Sequence, residues 1–268
     1  MEGPRGWPQG GGRRALAPWL PVPPLRSDIN AAVYVNWLVP TSALATHIPP
    51  PLELQTVGAS EKHAVVTVVV FRHGHFGFRF LGPLRRLAPS PIQSNWRTYV
   101  RNPGTGRRGV FFLTTTVSNL LYTLMARLTA DNVPMHRPRR SRIETRPSGT
   151  VTVLLQGGRG GTPDLAGQWQ ETPVPPGGPW ALGFRDWDAM LGHIVPQERS
   201  LAVRNGRVVR LDLELEIPLG HLRPLRGQVR TTFLTPLVGN LPSWAFWTPK
   251  VRLGYHAQRR DRKEEPHG

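Results

Sequence analysis

Cysteine is absent from all 268 residues, which excludes disulfides, a thiolate nucleophile and thiolate-ligated zinc. Lysine is nearly absent: Lys62, Lys250 and Lys263 stand alone among 34 basic side chains, and the rest are arginine. No apolar run reaches the ~18 residues that a membrane-crossing helix needs, so no membrane partner is expected. The apolar stretch from Ala15 to Val22 is broken by Pro18 and Pro21, which argues against a secretory leader and leaves cytoplasmic residence as the default expectation. Long helices are disfavoured as well. The 28 Gly and 29 Pro punctuate the chain into short segments and move the expected fold toward β structure.

Acidic residues are scarce too, and the formal charge is +17. Such an excess attracts nucleic acid, acidic lipid and small anions. The densest basic run, Arg137-Pro138-Arg139-Arg140-Ser141-Arg142, contains proline and lacks the interleaved aromatics of a stacking platform. None of the usual nucleic-acid motifs is present, so the expected partner is a small, anionic molecule and not nucleic acid.

Composition divides the chain into a Gly/Arg/Pro-rich lead-in at residues 1–26, a single domain at 27–258 and a charged tail at 259–268. Within the domain, Ala31 to Val39 reads as a strand ended by Pro40. Thr41 or Ser42 is placed to cap a short helix through His47. Ala64 to Phe71 is an almost unbroken β run, as expected of a central strand buried on both faces. Trp180 to Leu191 suggests a short helix around Phe184, Trp187 and Leu191. Asn205-Gly206 between two apolar runs predicts a two-residue hairpin, and Asp212, Glu214 and Glu216 alternate along the strand that follows it.

Two motifs invite chemistry and then lose it. His73 and His75 have the spacing at which one strand face could hold a metal, yet no further ligand follows at a workable distance, so neither metal nor cofactor is expected. Gly157-Gly158-Arg159-Gly160-Gly161 follows a strand like a phosphate cradle, but Thr162-Pro163-Asp164 comes next in place of a Lys-Ser/Thr pair on a helix.

The stretch from Pro91 to Arg146 is the most informative. Asn95, Arg97 and Tyr99 alternate with Trp96, Thr98 and Val100, and a strand's period of two puts an amide, a guanidinium and a phenol on one face. After the turn at Asn102 to Gly109 come the apolar strand Val110-Phe111-Phe112-Leu113, a helical run through Ala126-Arg127, and Val133-Pro134-Met135-His136.

These segments in this order resemble the YqjF-type (DUF2071) family, whose pattern is Asn-x-Arg-Thr-Tyr-Val, Gly-x-x-Phe-Phe, Ala-Arg and a Pro-aromatic motif. Asn36-Trp37-Leu38-Val39-Pro40 and Ile48-Pro49-Pro50-Pro51-Leu52 match its opening. The family is similar to acetoacetate decarboxylase. The resemblance therefore implies a mainly β fold, an antiparallel cone-like β-barrel with a few short helices and a central ligand cavity. Acetoacetate decarboxylase works through a Schiff-base lysine beside a second lysine. Where that pair follows a helix and a proline, this chain has Met135-His136, so imine chemistry is not expected.

Two readings stay open. In the first, the chain is an enzyme of lyase or isomerase type acting on an anionic or carbonyl-bearing metabolite. Asn95, Arg97 and Arg127 then bind substrate, while Tyr99 and His136 are catalytic. In the second, the same cavity binds a small molecule without turnover. All five residues are expected to converge on one pocket, and the chain is compatible with a homo-oligomer.

Overall fold

Valine-rich, β-branched segments form the long strands, and proline or glycine ends them. The computed structural model describes residues 25–129, 135–158, 161–217 and 219–260. Its strands are β1 (Leu25–Pro40), β2 (Glu53–Leu54), β3 (Thr56–Val57), β4 (His63–Phe78), β5 (Ile92–Arg101), β6 (Arg108–Val117) and β7 (Met135–His136). There follow β8 (Arg140–Thr145), β9 (Thr150–Gln156), β10 (Leu165–Glu171), β11 (Arg199–Arg204), β12 (Arg207–Glu216), β13 (Arg223–Arg230) and β14 (Ser243–Arg260). The helices are short: α1 (Thr41–Ala45), α2 (Leu120–Thr129), α3 (Trp187–Ile194) and α4 (Thr235–Val238). No helix among the described residues is long and apolar enough to cross a membrane. The lead-in at residues 1–24, the end of the tail at 261–268 and the centre of the glycine loop at 159–160 lie outside the described residues.

β1, β4, β5 and β6 pair antiparallel in that order. The ladder continues from β6 to β11 through one parallel pair, Val110 with Ser200, and then runs through β12 and β14 back to β1. The result is a barrel-like ring with a thin seam between β6 and β11. β14 belongs to two layers, because Ala245 to Trp247 pair with β13 while Arg252 to Arg260 pair with β12. β13 carries β10, β9 and β8 into a second, antiparallel layer. Arg259 and Arg260 thus extend β14 where the sequence suggested a tail.

The expected central strand is β4, held between β1 and β5. Its two faces bury different cores. Val66, Val68 and Val70 meet Trp96 and the second layer's Val153 and Trp169. Val65 and Val69 meet Tyr99, Phe246 and the α3 residues Met190 and Ile194. Completely burying one such valine is worth about 1.5 kcal/mol or more, so both faces anchor β4 in the core.

Local signals account for the turns. Asn205 and Gly206 take φ of 49° and 71°, the left-handed pair that a two-residue hairpin requires, and Arg204 faces Arg207 across it. α1 begins at Thr41 without a side-chain cap, so neither Thr41 nor Ser42 serves as one. The run Trp180 to Leu191 divides instead of forming one helix. Pro179 to Leu182 makes a 3-10 turn that Gly183 ends, and Asp186 caps α3 by accepting a 2.6 Å hydrogen bond from the Ala189 amide.

Candidate functional site

β5 keeps strict alternation against β4, with Thr67 opposite Arg97 and Val69 opposite Asn95. Gln93, Asn95, Arg97 and Tyr99 accordingly share the face that looks at α3. One residue, Leu113, is extra on the β6 side, where pairing steps from Trp96–Thr114 to Arg97–Phe112.

Arg97 and Tyr99 meet the end of α3. The Arg97 Nη2 donates to the Ile194 carbonyl at 3.1 Å, and the Tyr99 hydroxyl lies 3.2 Å from the same oxygen. Tyr99 also contacts the Thr67 hydroxyl at 2.9 Å; Thr67 in turn donates to Asn36 Oδ1 at 2.9 Å, and Asn36 Nδ2 donates to the Trp244 carbonyl. The Arg97 guanidinium sits 5.8 Å from the ring centres of both Tyr34 and Tyr99. His193, next to Ile194, packs its ring 4.9 Å from Tyr99 and 5.3 Å from Phe184.

The electrostatics are unusual for a core. Arg97 is only 6% exposed, and among the described residues no carboxylate pairs with it. Removing a guanidinium from water costs several kcal/mol, of which one carbonyl and two ring contacts return only part. Two buried atoms lack a hydrogen-bond partner here: Arg97 Nε and His193 Nε2. Burial, aided by the charge of Arg108, pushes the His193 imidazole down to about 4, so it is neutral at neutral pH with Nε2 unengaged. Burial raises the Tyr99 phenol above its usual range while Arg97 opposes the shift, and the same balance pushes Tyr34 up to about 12. Both phenols remain protonated donors.

Asn95 stands two residues from Arg97, at the edge of a second polar chain. Gln93 Nε2 donates to Asn95 Oδ1 at 2.8 Å, Gln93 Oε1 lies 2.8 Å from His73 Nε2, and His73 Nδ1 lies 2.7 Å from the Ser27 hydroxyl. One assignment satisfies every contact: Ser27 donates to Nδ1, and Nε2–H donates to Gln93. Desolvation lowers His73 to about 4, which agrees with a neutral ring. Ser27 is fully buried, so this serine–histidine contact is a core network with no route for an acyl donor. His73 points inward and stacks 4.2 Å from Phe76, whereas His75, at φ 51°, turns out to Asp28. The two histidines therefore do not share a face.

The remaining candidates part company. The short β7 pairs parallel with β6, Met135 beside Thr115 and His136 beside Thr116. Thr116 contacts Ser94, which accepts from the Trp96 indole, so it lies on the sheet face opposite Arg97. By this register Met135 takes the Asn95 face and His136 the other. The Arg127 side chain lies outside the described residues, although its backbone belongs to α2. Lys62 and Lys250 are exposed.

The sequence reading missed Tyr34, Asn36, Thr67 and His193. Asn36 and Thr67 carried a signal, since each is a lone polar residue in an otherwise apolar strand and they face one another across β1 and β4. His193 carried none beyond its place in the last turn of a helix.

The sequence pattern of the DUF2071 family, described as an uncharacterized conserved protein, matches residues 26–172. No curated protein matches the chain. Among solved structures, the chain is similar to acetoacetate decarboxylase from Legionella pneumophila subsp. pneumophila str. Philadelphia 1, with TM-score 0.61 and 12% identity over 90% of this chain and 88% of that one. It is similar to an acetoacetate decarboxylase-like enzyme from Sphingomonas wittichii RW1, with TM-score 0.59 and 8% identity over 90% and 94% of the two chains. A third likeness is to the enduracididine biosynthesis enzyme MppR complexed with pyruvate, with TM-score 0.57 and 16% identity over 90% and 91%. At these identities the shared property is the fold.

Proposed function

For a chain that belongs to the DUF2071 family and has the acetoacetate decarboxylase-like fold, we propose an enzyme acting on a small carboxylate- or carbonyl-bearing metabolite by non-covalent acid/base chemistry. The observation that carries this reading is the buried Arg97, which has no carboxylate partner among the described residues and whose Nε lacks an acceptor. A planar guanidinium with free donors suits a carboxylate or an enolate oxygen, which it can hold through two parallel bonds. Tyr99, kept protonated by burial, stands beside it. Asn95 shares the strand face two residues away, and His193 has a neutral, unengaged nitrogen to take a proton. In this reading His193 fills the role first expected of His136. Isomerisation, dehydration, cyclisation or decarboxylation without an imine all use that set. That a protein of the same fold is complexed with pyruvate supports a 2-oxo acid as the ligand class.

A second reading has its own observation. Ile194 accepts from Arg97 and approaches Tyr99, as a helix's last carbonyls do when a cation caps them. Arg97 would then be a clamp that fastens α3 to β5, or the anchor of a site that binds without turnover. Incubating the protein with a panel of 2-oxo and 3-oxo carboxylic acids and following both binding and consumption by proton NMR separates the readings. The enzyme reading expects one acid to be consumed by the native chain and untouched by Arg97→Met. Binding without consumption leaves the binding protein, and no binding leaves the clamp. Inactivation by borohydride only in the presence of a consumed acid would reveal an imine and sink the non-covalent mechanism.

A further inference from the structure

On the opposite side of β1 and β4 from Arg97, a cleft of about 490 Å³ opens between the ring and the edge strand β8. Its wall includes Asn30 and Ala31 of β1, Arg72 of β4, Arg142 and Glu144 of β8, and Arg146 just beyond. Alternation separates it from the first site: Ile29 and Phe71 belong to the core under α3, while their neighbours Asn30 and Arg72 turn the other way.

Three features mark the cleft as built. The first is charge, since three guanidiniums meet a single carboxylate that Arg142 already engages. Arg72 and Arg146 have no acidic partner among the described residues. The second is orientation: Arg72 Nη2 donates to the Ile143 carbonyl at 3.1 Å, which ties β4 to β8 and fixes its guanidinium at the wall.

The third is strain. Pairing of β1 with β4 steps from Asn30–Arg72 to Ala32–Phe71, leaving Ala31 unmatched at φ 60°, a left-handed conformation that costs a non-glycine residue about 1 kcal/mol. The bulge presses so closely on β4 that a Cβ at Gly74 would lie 2.7 Å from Asn30 Nδ2 and from the Asp28 carbonyl oxygen. A left-handed alanine inside a sixteen-residue strand is kept only where its surroundings enforce it, and here it sets Asn30 in the cleft wall with its amide against Gly74.

From this geometry we infer that the cleft is a second binding site, for a small polyanion carrying two or more closely spaced oxyanion groups. Its lining contains no aromatic side chain, so a nucleobase finds no stacking platform and the recognition is of carboxylate or phosphate oxygens alone. Arg146 and Arg72 hold the anion, and Asn30 donates from the bulge.

Isothermal titration of the full chain with citrate and with inorganic pyrophosphate, at physiological salt, tests the site. Saturable binding is expected for at least one probe; tighter citrate binding assigns carboxylates, tighter pyrophosphate binding assigns phosphates, and both support the site. Arg146→Ala, at an exposed position, and Arg72→Lys, which keeps the charge but not the fork, should each weaken binding about tenfold. Arg204→Ala/Arg207→Ala, at the remote hairpin, should leave it unchanged. Absence of saturable binding, equal weakening in the hairpin control, or undiminished binding in Arg146→Ala overturns the inference, as does tighter, salt-sensitive binding of an oligonucleotide lost through the same two arginines. Retained citrate or pyrophosphate binding in Arg97→Met keeps the outcome independent of the proposed function.

Discussion

Arg97 and Tyr99, two residues apart on β5, aim at one atom: the Ile194 carbonyl oxygen lies 3.1 Å from the guanidinium and 3.2 Å from the phenol. One hydroxyl hydrogen on Tyr99 and one on Thr67 must serve three contacts: Ile194, the Thr67–Tyr99 pair and Asn36 Oδ1. The arrangement that leaves no acceptor empty has Arg97 serving Ile194, Tyr99 serving Thr67, and Thr67 serving Asn36. The carbonyl at the end of α3 thus occupies the ground that an anionic ligand would take.

Arg97 is the first residue to change. Arg97→Lys preserves the charge and loses the two-pronged contact, so binding of any carboxylate ligand found in the NMR panel should weaken about tenfold or more. Thermal unfolding should move little by comparison, because lysine can still reach a carbonyl. A variant that melts markedly lower yet binds as before would assign Arg97 to the clamp alone.

The hydroxyl chain predicts an asymmetry. Tyr99→Phe leaves Thr67 bonded to Asn36 and Arg97 bonded to Ile194, so it should cost about 0.5–1.5 kcal/mol in urea unfolding, the worth of one hydrogen bond. Thr67→Val leaves the buried Asn36 Oδ1 without a donor and should cost more, about 1–3 kcal/mol. Equal losses, or the reverse order, would mean that the hydrogens are distributed differently.

How much of this was legible in the sequence differs from residue to residue. The shared face of Asn95, Arg97 and Tyr99 followed from period-two alternation, which β5 obeys. The Asn205-Gly206 hairpin followed from turn chemistry, and the central place of β4 from its valines. The split before α3 was hidden because Phe184, Trp187 and Leu191 fit a helical spacing straight across the break that Asp186 makes. His193 and Ile194 reach Tyr99 from about 95 positions away, a distance over which no local pattern speaks. The face taken by His136 depends on the parallel register of a two-residue strand, which neither spacing nor a preceding proline specifies.

That register gives a direct comparison. His136→Gln should leave both ligand binding and turnover unchanged within about twofold, since the residue stands across the sheet from Arg97, whereas His193→Gln should retain binding and abolish turnover. Rate measurements on the two variants with whichever acid is consumed decide between them. Loss of turnover in His136→Gln alone would return the proton-transfer role to β7.

The pH dependence of stability follows from the two buried histidines. Both His73 and His193 are lowered from 6.5 to about 4 by burial, so between those values the unfolded chain binds protons that the folded chain refuses. Stability contributed by the neutral rings is complete above pH 6.5 and falls as pH drops toward 4, levelling once the folded state protonates as well. At 1.36 kcal/mol per pK unit the loss is on the order of 3 kcal/mol for each ring. Carboxylates, which titrate near about 4, add little above pH 5, so urea unfolding between pH 5 and 7 isolates the effect. The slope in that window should drop by about one proton in His193→Gln and by about as much again in His73→Gln, and what remains belongs to His47, which burial also lowers. A flat profile from pH 7 to 5 in the native chain would show that at least one of these imidazoles is not held neutral in the core.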